Sequence, residues 1–172
     1  MPVQYKGKED VTSSAGLLIS ILARYPEVAT INFDPAGRIL KFTFIASRVL
    51  LPKELSAIKK NVLDSIEVFN LLARKKTKVG SISCRECDHL TILEVQRDID
   101  TLVSEEIALI VQLLRNFLGE HLVTEANEAF LEDDMLLQEE IIEHLLESLK
   151  GTTEDRYLFA FREEDRVLVF NK

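Results

Sequence analysis

The chain of 172 residues is 47% hydrophobic, 29% charged and 7% aromatic, and it carries a formal net charge of −8. That supplies apolar material for a sizeable core and is too apolar for a disordered chain, while six glycines and four prolines exclude a collagenous or linker-rich chain. No apolar run approaches the roughly 18–20 residues that cross a bilayer, and the opening MPVQYKGKED lacks the apolar stretch of a signal peptide, so a cytoplasmic protein without membrane partners is expected.

In chain order, the three-to-four spacing of Leu17, Leu18, Ile21 and Leu22 predicts a helix over 12–24, with Asp10 or Thr12 as N-cap and Pro26 beyond its end. Two runs of period two follow, one placing Ala29, Ile31 and Phe33 on a common side, the other Leu40, Phe42 and Phe44. Asp34-Pro35-Ala36-Gly37 between them matches the residue preferences of a type I turn and predicts a hairpin. Leu51-Pro52 opens a long helix, because proline at the first helical position forfeits no helical hydrogen bond. Leu55, Ile58, Val62, Ile66, Phe69 and Ala73 run down it, and it ends in Arg74-Lys75-Lys76.

A second hairpin pairs about 78–84 with 90–97. Leu90, Ile92, Leu93 and Val95 put apolar residues on both sides of its second strand, as an interior strand requires. Thr101 or Ser104 is placed to cap the next helix, with Ile107, Ile110, Val111, Leu114 and Phe117 inward. After Gly119 the chain is irregular and acidic until a helix over about 135–149, built on Leu137, Ile141, Leu145 and Leu149 and closed by Gly151. The last hairpin sets Tyr157, Phe159 and Phe161 against Val167 and Val169, with Glu163-Glu164-Asp165 at the bend.

The order helix–hairpin recurs three times, over 12–46, 52–97 and 102–171, the last unit with a second helix inserted. Each hairpin has one apolar face and each helix one apolar stripe, so the expected fold is α+β: an antiparallel sheet built from three helix–hairpin (αββ) units with helices packed on it. The expected organisation is a single domain over 1–172, with a subdivision near 98–102 as the one candidate boundary. Charge is uneven along the chain. Residues 1–86 carry a net +6 and residues 87–172 a net −14.

One constellation has metal-ligand spacing. Cys84-Arg85-Glu86-Cys87 at a hairpin turn would aim two thiolates at a zinc ion, with His89 as third ligand. A structural site needs a fourth ligand, and no second cysteine pair exists to supply it. His121, His144 or a neighbouring chain would have to do so. A thioredoxin-type role is disfavoured because that chemistry places the first cysteine at a helix N-terminus. Glu94, Asp98 and Asp100 lie where a strand passes into a helix, and local pairing with Arg97 and helix capping account for them. Val103 and Leu109 stand where a calcium loop needs its glycine and its last acid. Glu139, Glu140, Glu143 and His144 lack the Glu-x-x-His spacing of carboxylate-bridged dimetal sites.

The glycines are far apart, so there is neither a Walker A loop nor a dinucleotide fingerprint, and no nucleophile elbow or zincin motif is present. These absences make a catalytic role the minor expectation, with no catalytic residue and no cofactor assigned. The leading expectation is a protein that acts by protein–protein interaction or self-association as a homo-oligomer. Its long amphipathic helices carry more apolar surface than one sheet can cover. The alternatives are a metal-binding module using Cys84, Cys87 and His89, and nucleic-acid contact through the basic N-terminal half, centred on Arg74, Lys75, Lys76 and Lys78. The last is weakened by a pI near 5.0 and by the lack of aromatics among these cations.

Overall fold

The computed structural model describes residues 13–125, 132–152, 156–164 and 166–171, with side chains in the fourth helix described from 136 onward. In chain order it comprises α1 (Ser13–Arg24), β1 (Thr30–Asp34), β2 (Ile39–Ala46), α2 (Pro52–Leu72), β3 (Gly80–Cys87), β4 (Leu90–Asp98), α3 (Ser104–Leu118), a 3₁₀ turn at Gly119–His121, α4 (Glu132–Leu149), β5 (Leu158–Glu163) and β6 (Arg166–Asn171). The fold is α+β. Among the described residues four α-helices accompany one six-stranded sheet of order β3-β4-β2-β1-β5-β6, antiparallel at every pairing. The first hairpin lies at the centre, and the other two flank it.

Strand alternation divides the sheet into two faces. Directly paired residues Ile82, Val95, Phe42, Ile31, Ala160 and Val169 form a row across all six strands, and none is more than 8% exposed. Helices seal this face: α1 lies on β1, β5 and β6, α2 lies on β3, α4 stacks on α1, and α3 contacts both α2 and α4. The other face carries the row Gln96, Lys41, Asn32, Phe159 and Phe170, which is only partly buried. Its aromatic end is ordered by Phe161, whose ring stacks on Phe170 and tilts against Phe159 with centroids 5.6 Å apart in both cases.

Local chemistry explains most boundaries. Pro52 begins α2, and Glu54 reaches back to accept the Leu51 N–H at 3.0 Å. Gly151, at φ 79°, follows the end of α4. In the first hairpin Asp34 accepts the Ala36 N–H at 3.0 Å, but the left-handed position is Arg38, at φ 55°, not Gly37. Tertiary bonds offset that backbone cost. The Arg38 guanidinium grips Asp100 and donates to the carbonyls of Leu149 and Thr152 at 2.6 and 2.5 Å, tying the central hairpin to the end of α4.

Several sequence expectations are corrected. β3 continues to Cys87, and the turn is Asp88-His89, both left-handed at φ 47° and 66°, the two-residue geometry that matches strand twist. In the last hairpin Val167 and Val169 oppose Arg162 and Ala160, whereas Phe159 and Phe161 oppose Phe170 and Leu168 on the other face. A one-residue difference in register exchanges faces. In α4 the buried seam is Ile142, Leu146 and Leu149, and Leu137 and Ile141 face outward. Leu118 replaces Phe117 on the inner face of α3, and Asn70 takes the inner place assigned to Phe69 in α2. The N-terminal cap of α3 is supplied from α4: Glu143 accepts the Ser104 N–H at 2.8 Å. The proposed caps Asp10 and Thr12, the bend residue Asp165 and the stretch 126–131 lie outside the described residues. Among the described residues no helix is long and apolar enough to cross a membrane.

Candidate functional site

Among the described residues, the C-terminal half of α2 exposes three large apolar side chains. Ile58, Val62, Ile66 and Asn70 face inward, which forces the off-stripe residues Val68, Leu71 and Leu72 outward at 52%, 70% and 79% exposure. The helix then stops abruptly. Arg74, at φ 60°, takes the left-handed position, and the Arg74 and Lys75 N–H groups donate to the carbonyls of Leu71 and Asn70 at 3.0 and 2.8 Å. This is the paired closure usually built on glycine, and it seals the last helical carbonyls without burying Leu71 or Leu72. The basic run follows at once. Lys75 donates to the Thr101 carbonyl and Lys78 lies 3.5 Å from Asp100, while Arg74 and Lys76 are exposed.

Beneath this end lies a buried polar network. Arg97 is wholly buried on β4, and its guanidinium donates to Glu106 at 2.5 and 2.7 Å, to Asp98 at 2.5 Å, to Thr101 Oγ1 at 2.9 Å and to the Val79 carbonyl at 3.1 Å. Glu106 also accepts from Asn70 Nδ2 at 2.8 Å, which ties α2 to α3. Asp98 accepts the backbone N–H groups of Lys78, Val79 and Thr101, fixing the loop that carries the lysines. Burial pushes the Asp98 carboxyl up, but the N–H of Val79, the Thr101 bond and the charge of Arg97 together hold it below its ordinary value. Two anions and a five-donor fork satisfy one another here, the condition under which a charge survives burial.

Between α2 and the start of β3 lies an open pocket of about 600 Å³, lined by Leu63, Ile66 and Leu71 with Asn70, Lys76 and Thr77 as polar members. Asn70 is 1% exposed, and its Oδ1 accepts no hydrogen bond from the described residues.

The residues singled out for metal chemistry are arranged differently from the expected turn. Cys84 and Cys87 are three apart within β3, so strand alternation directs them to opposite faces. Cys84 packs against the core cluster, and burial raises its thiol above the ordinary value. His89 occupies the turn. Among the described residues no group of three or more His, Cys, Asp and Glu side chains is placed to hold a metal ion.

The acids are similarly dispersed. Glu94 pairs with Lys41 at 3.1 Å on the open face, and Asp100 pairs with Arg38 and Lys78, which hold its carboxyl below the usual range. Glu139 pairs with Arg24 at 2.8 Å, Glu143 serves as the α3 cap, and Glu140 and His144 are exposed beside Ile141. Leu136, Leu137 and Ile141 thus form a second exposed apolar strip, at 57%, 55% and 36%, on a helix rich in acids. In α2 the strip consists of apolar residues off the inner stripe read from the sequence, whereas in α4 it includes Leu137 and Ile141, which sequence periodicity places on the inner face.

Fold and site together define an α+β protein with an antiparallel sheet covered by helices on one face and with two oppositely charged apolar strips on those helices. No protein-family model, curated protein or solved structure matches the chain.

Proposed function

We propose that this protein acts by self-association, the basic end of α2 in one copy docking on the acidic strip of α4 in a second copy. The observation that carries the reading is the exposure of Val68, Leu71 and Leu72, three large aliphatic side chains within five residues of one helix. Charge supports the choice of partner. Arg74 and Lys76 flank the first strip, and Glu140 and Glu147 flank the second. Each copy has both strips, so a two-fold arrangement makes the contact twice and closes the assembly. Aliphatic residues beside these cations, with no aromatic stacking platform, favour a protein surface over nucleic acid. We also read the sheet as three helix–hairpin units, on the ground that each hairpin follows a helix in the chain.

Light scattering on size-fractionated protein tests the proposal. Wild type is expected as a dimer, and Val68→Asp/Leu72→Glu as a folded monomer. A wild-type protein that stays monomeric at every concentration contradicts it.

A further inference from the structure

We infer that the outer edge of β3, beside α2, takes an extended segment of a partner protein as an added strand, a segment with an aliphatic and an acidic residue four positions apart. β3 ends the sheet, and the two-residue turn Asp88-His89 makes Cys87 and Leu90 the first directly bonded pair of its hairpin. Alternation from that pair commits the odd-numbered residues of β3 to β4, as the Asp98 N–H donating to the Val79 carbonyl at 3.2 Å also requires. The N–H and C=O groups of Ile82, Cys84 and Glu86 therefore point away from the sheet, and no group among the described residues meets them. β3 has neither a proline nor a bulge in its pairing with β4, the devices that commonly blunt such an edge. Strand addition to an open edge draws its affinity from main-chain bonds and its specificity from alternate side chains.

The flank of α2 sets the side-chain preference. Gly80, Ile82 and Cys84 share the helix-covered face, and a Cβ on Gly80 would stand 4.0 Å from Ile66. Burial raises the Cys84 thiol and the charge of Lys59 opposes it, which puts that cation beside the middle of β3. α2 thus runs antiparallel to β3. The row Lys59, Leu63 and Glu67 spans about 12 Å of helix, against about 13 Å of strand from Gly80 to Cys84, so the helix borders the edge over this length. At the Gly80 end the strand has no side chain, and Leu63 and Ile66 wall a depression that suits an aliphatic residue. At the Cys84 end Lys59 has no acidic partner among the described residues, and Arg85, 61% exposed, lies 3.7 Å from Glu94. An acidic side chain meets both cations there. Around Cys84 these two cations face the single acid Glu86, so charge favours an acidic segment over the same edge of a second copy.

The probe is a fluorescein-labelled peptide, Thr-Glu-Thr-Val-Thr-Leu-Thr, which in antiparallel register sets its Glu opposite Cys84, its Val opposite Ile82 and its Leu opposite Gly80. Anisotropy titration is expected to show one saturable site per chain. N-methylation of the peptide's Val, whose N–H faces β3, should abolish binding, and N-methylation of the Thr before it, whose N–H faces away, should leave binding unchanged. Cys84→Pro removes an outward N–H from the edge and should abolish binding. If that variant perturbs folding, Lys59→Glu keeps the test, because reversing one surface charge should weaken binding about fivefold. A peptide with Lys in place of its Glu should in turn bind Lys59→Glu more tightly than wild type. Val68→Asp/Leu72→Glu should bind the original peptide at least as tightly as wild type does, which separates this inference from the self-association proposal. Absence of saturable binding, indifference to N-methylation of the Val, or equal affinity of wild type and Lys59→Glu would overturn it. So would self-pairing of Val68→Asp/Leu72→Glu that Cys84→Pro abolishes, since the edge would then belong to a second copy.

Discussion

The two hairpins that flank the central one bury an arginine each, and they satisfy it by opposite means. On the β3–β4 side Arg97 is enclosed by the carboxylates of Glu106 and Asp98. On the β5–β6 side no carboxylate among the described residues hydrogen-bonds to Arg162. Its guanidinium donates to the carbonyls of Leu22, Tyr25 and Val28 at 2.6–2.7 Å, closing the C-terminal end of α1 and the turn beyond it. Without an anion in contact, burial lowers the Arg162 pKa. On one side the charge of the buried arginine is balanced by carboxylates, and on the other it is only solvated by backbone dipoles.

The largest expected effect comes from breaking the Arg97 side. Arg97→Met leaves Glu106 and Asp98 buried without their cation and should cost about 3–5 kcal/mol in chemical denaturation. Arg97→Met/Glu106→Leu should recover part of that loss, because the uncompensated charge leaves with its partner. A single variant as stable as wild type would remove the comparison. Arg162→Met should cost less, about 2 kcal/mol, since neutral carbonyls near a helix end can find water. If its cost exceeds that of Arg97→Met, carbonyl capping is the stronger device.

A smaller effect concerns the entrance to α2. Arg48 donates to both oxygens of Glu54 at 2.9 and 2.6 Å, and with the Leu51 N–H it lowers the Glu54 pKa from 4.5 to about 2. A depressed carboxyl contributes stability above its unfolded value and loses it as pH falls through the folded one, so the contribution is complete above pH 4.5 and lost towards pH 2. NMR titration of the Glu54 side chain in Arg48→Met should show the pKa returning towards 4.5. An unmoved titration would mean that the Leu51 N–H alone sets it. The smallest effect is salt dependence of association. Exposed charges are screened beyond about 8 Å at physiological ionic strength, so added salt should weaken the dimer only modestly.

Local signals predicted much of this architecture. Period-two runs located β1 and β2, Pro52 located the start of α2, and Gly151 located the end of α4. Errors arose where two apolar rows competed. In α4 the rows Leu137–Ile141–Leu145 and Ile142–Leu146–Leu149 are nearly equal in hydropathy, and packing on α1 selects the second. In β5 the aromatics read as core, yet the small Ala160 and the capping Arg162 face α1, and Phe159 and Phe161 lie opposite. The site was less legible still. Arg97, Glu106 and Asn70 come from three elements, and no spacing along the chain marks their meeting. The Cys84–Cys87 spacing was visible, but its reading as a turn depended on where β3 ends, which the Asp88-His89 geometry sets.

The decisive measurement is sedimentation velocity on a mixture of two variants, Val68→Asp/Leu72→Glu and Leu137→Ser/Ile141→Ser. Each alone should sediment as a monomer, and their equimolar mixture should regain dimer, because one intact α2–α4 contact forms between them. A mixture that stays monomeric while wild type is dimeric would contradict the α2–α4 pairing, and a monomeric wild type would contradict self-association itself.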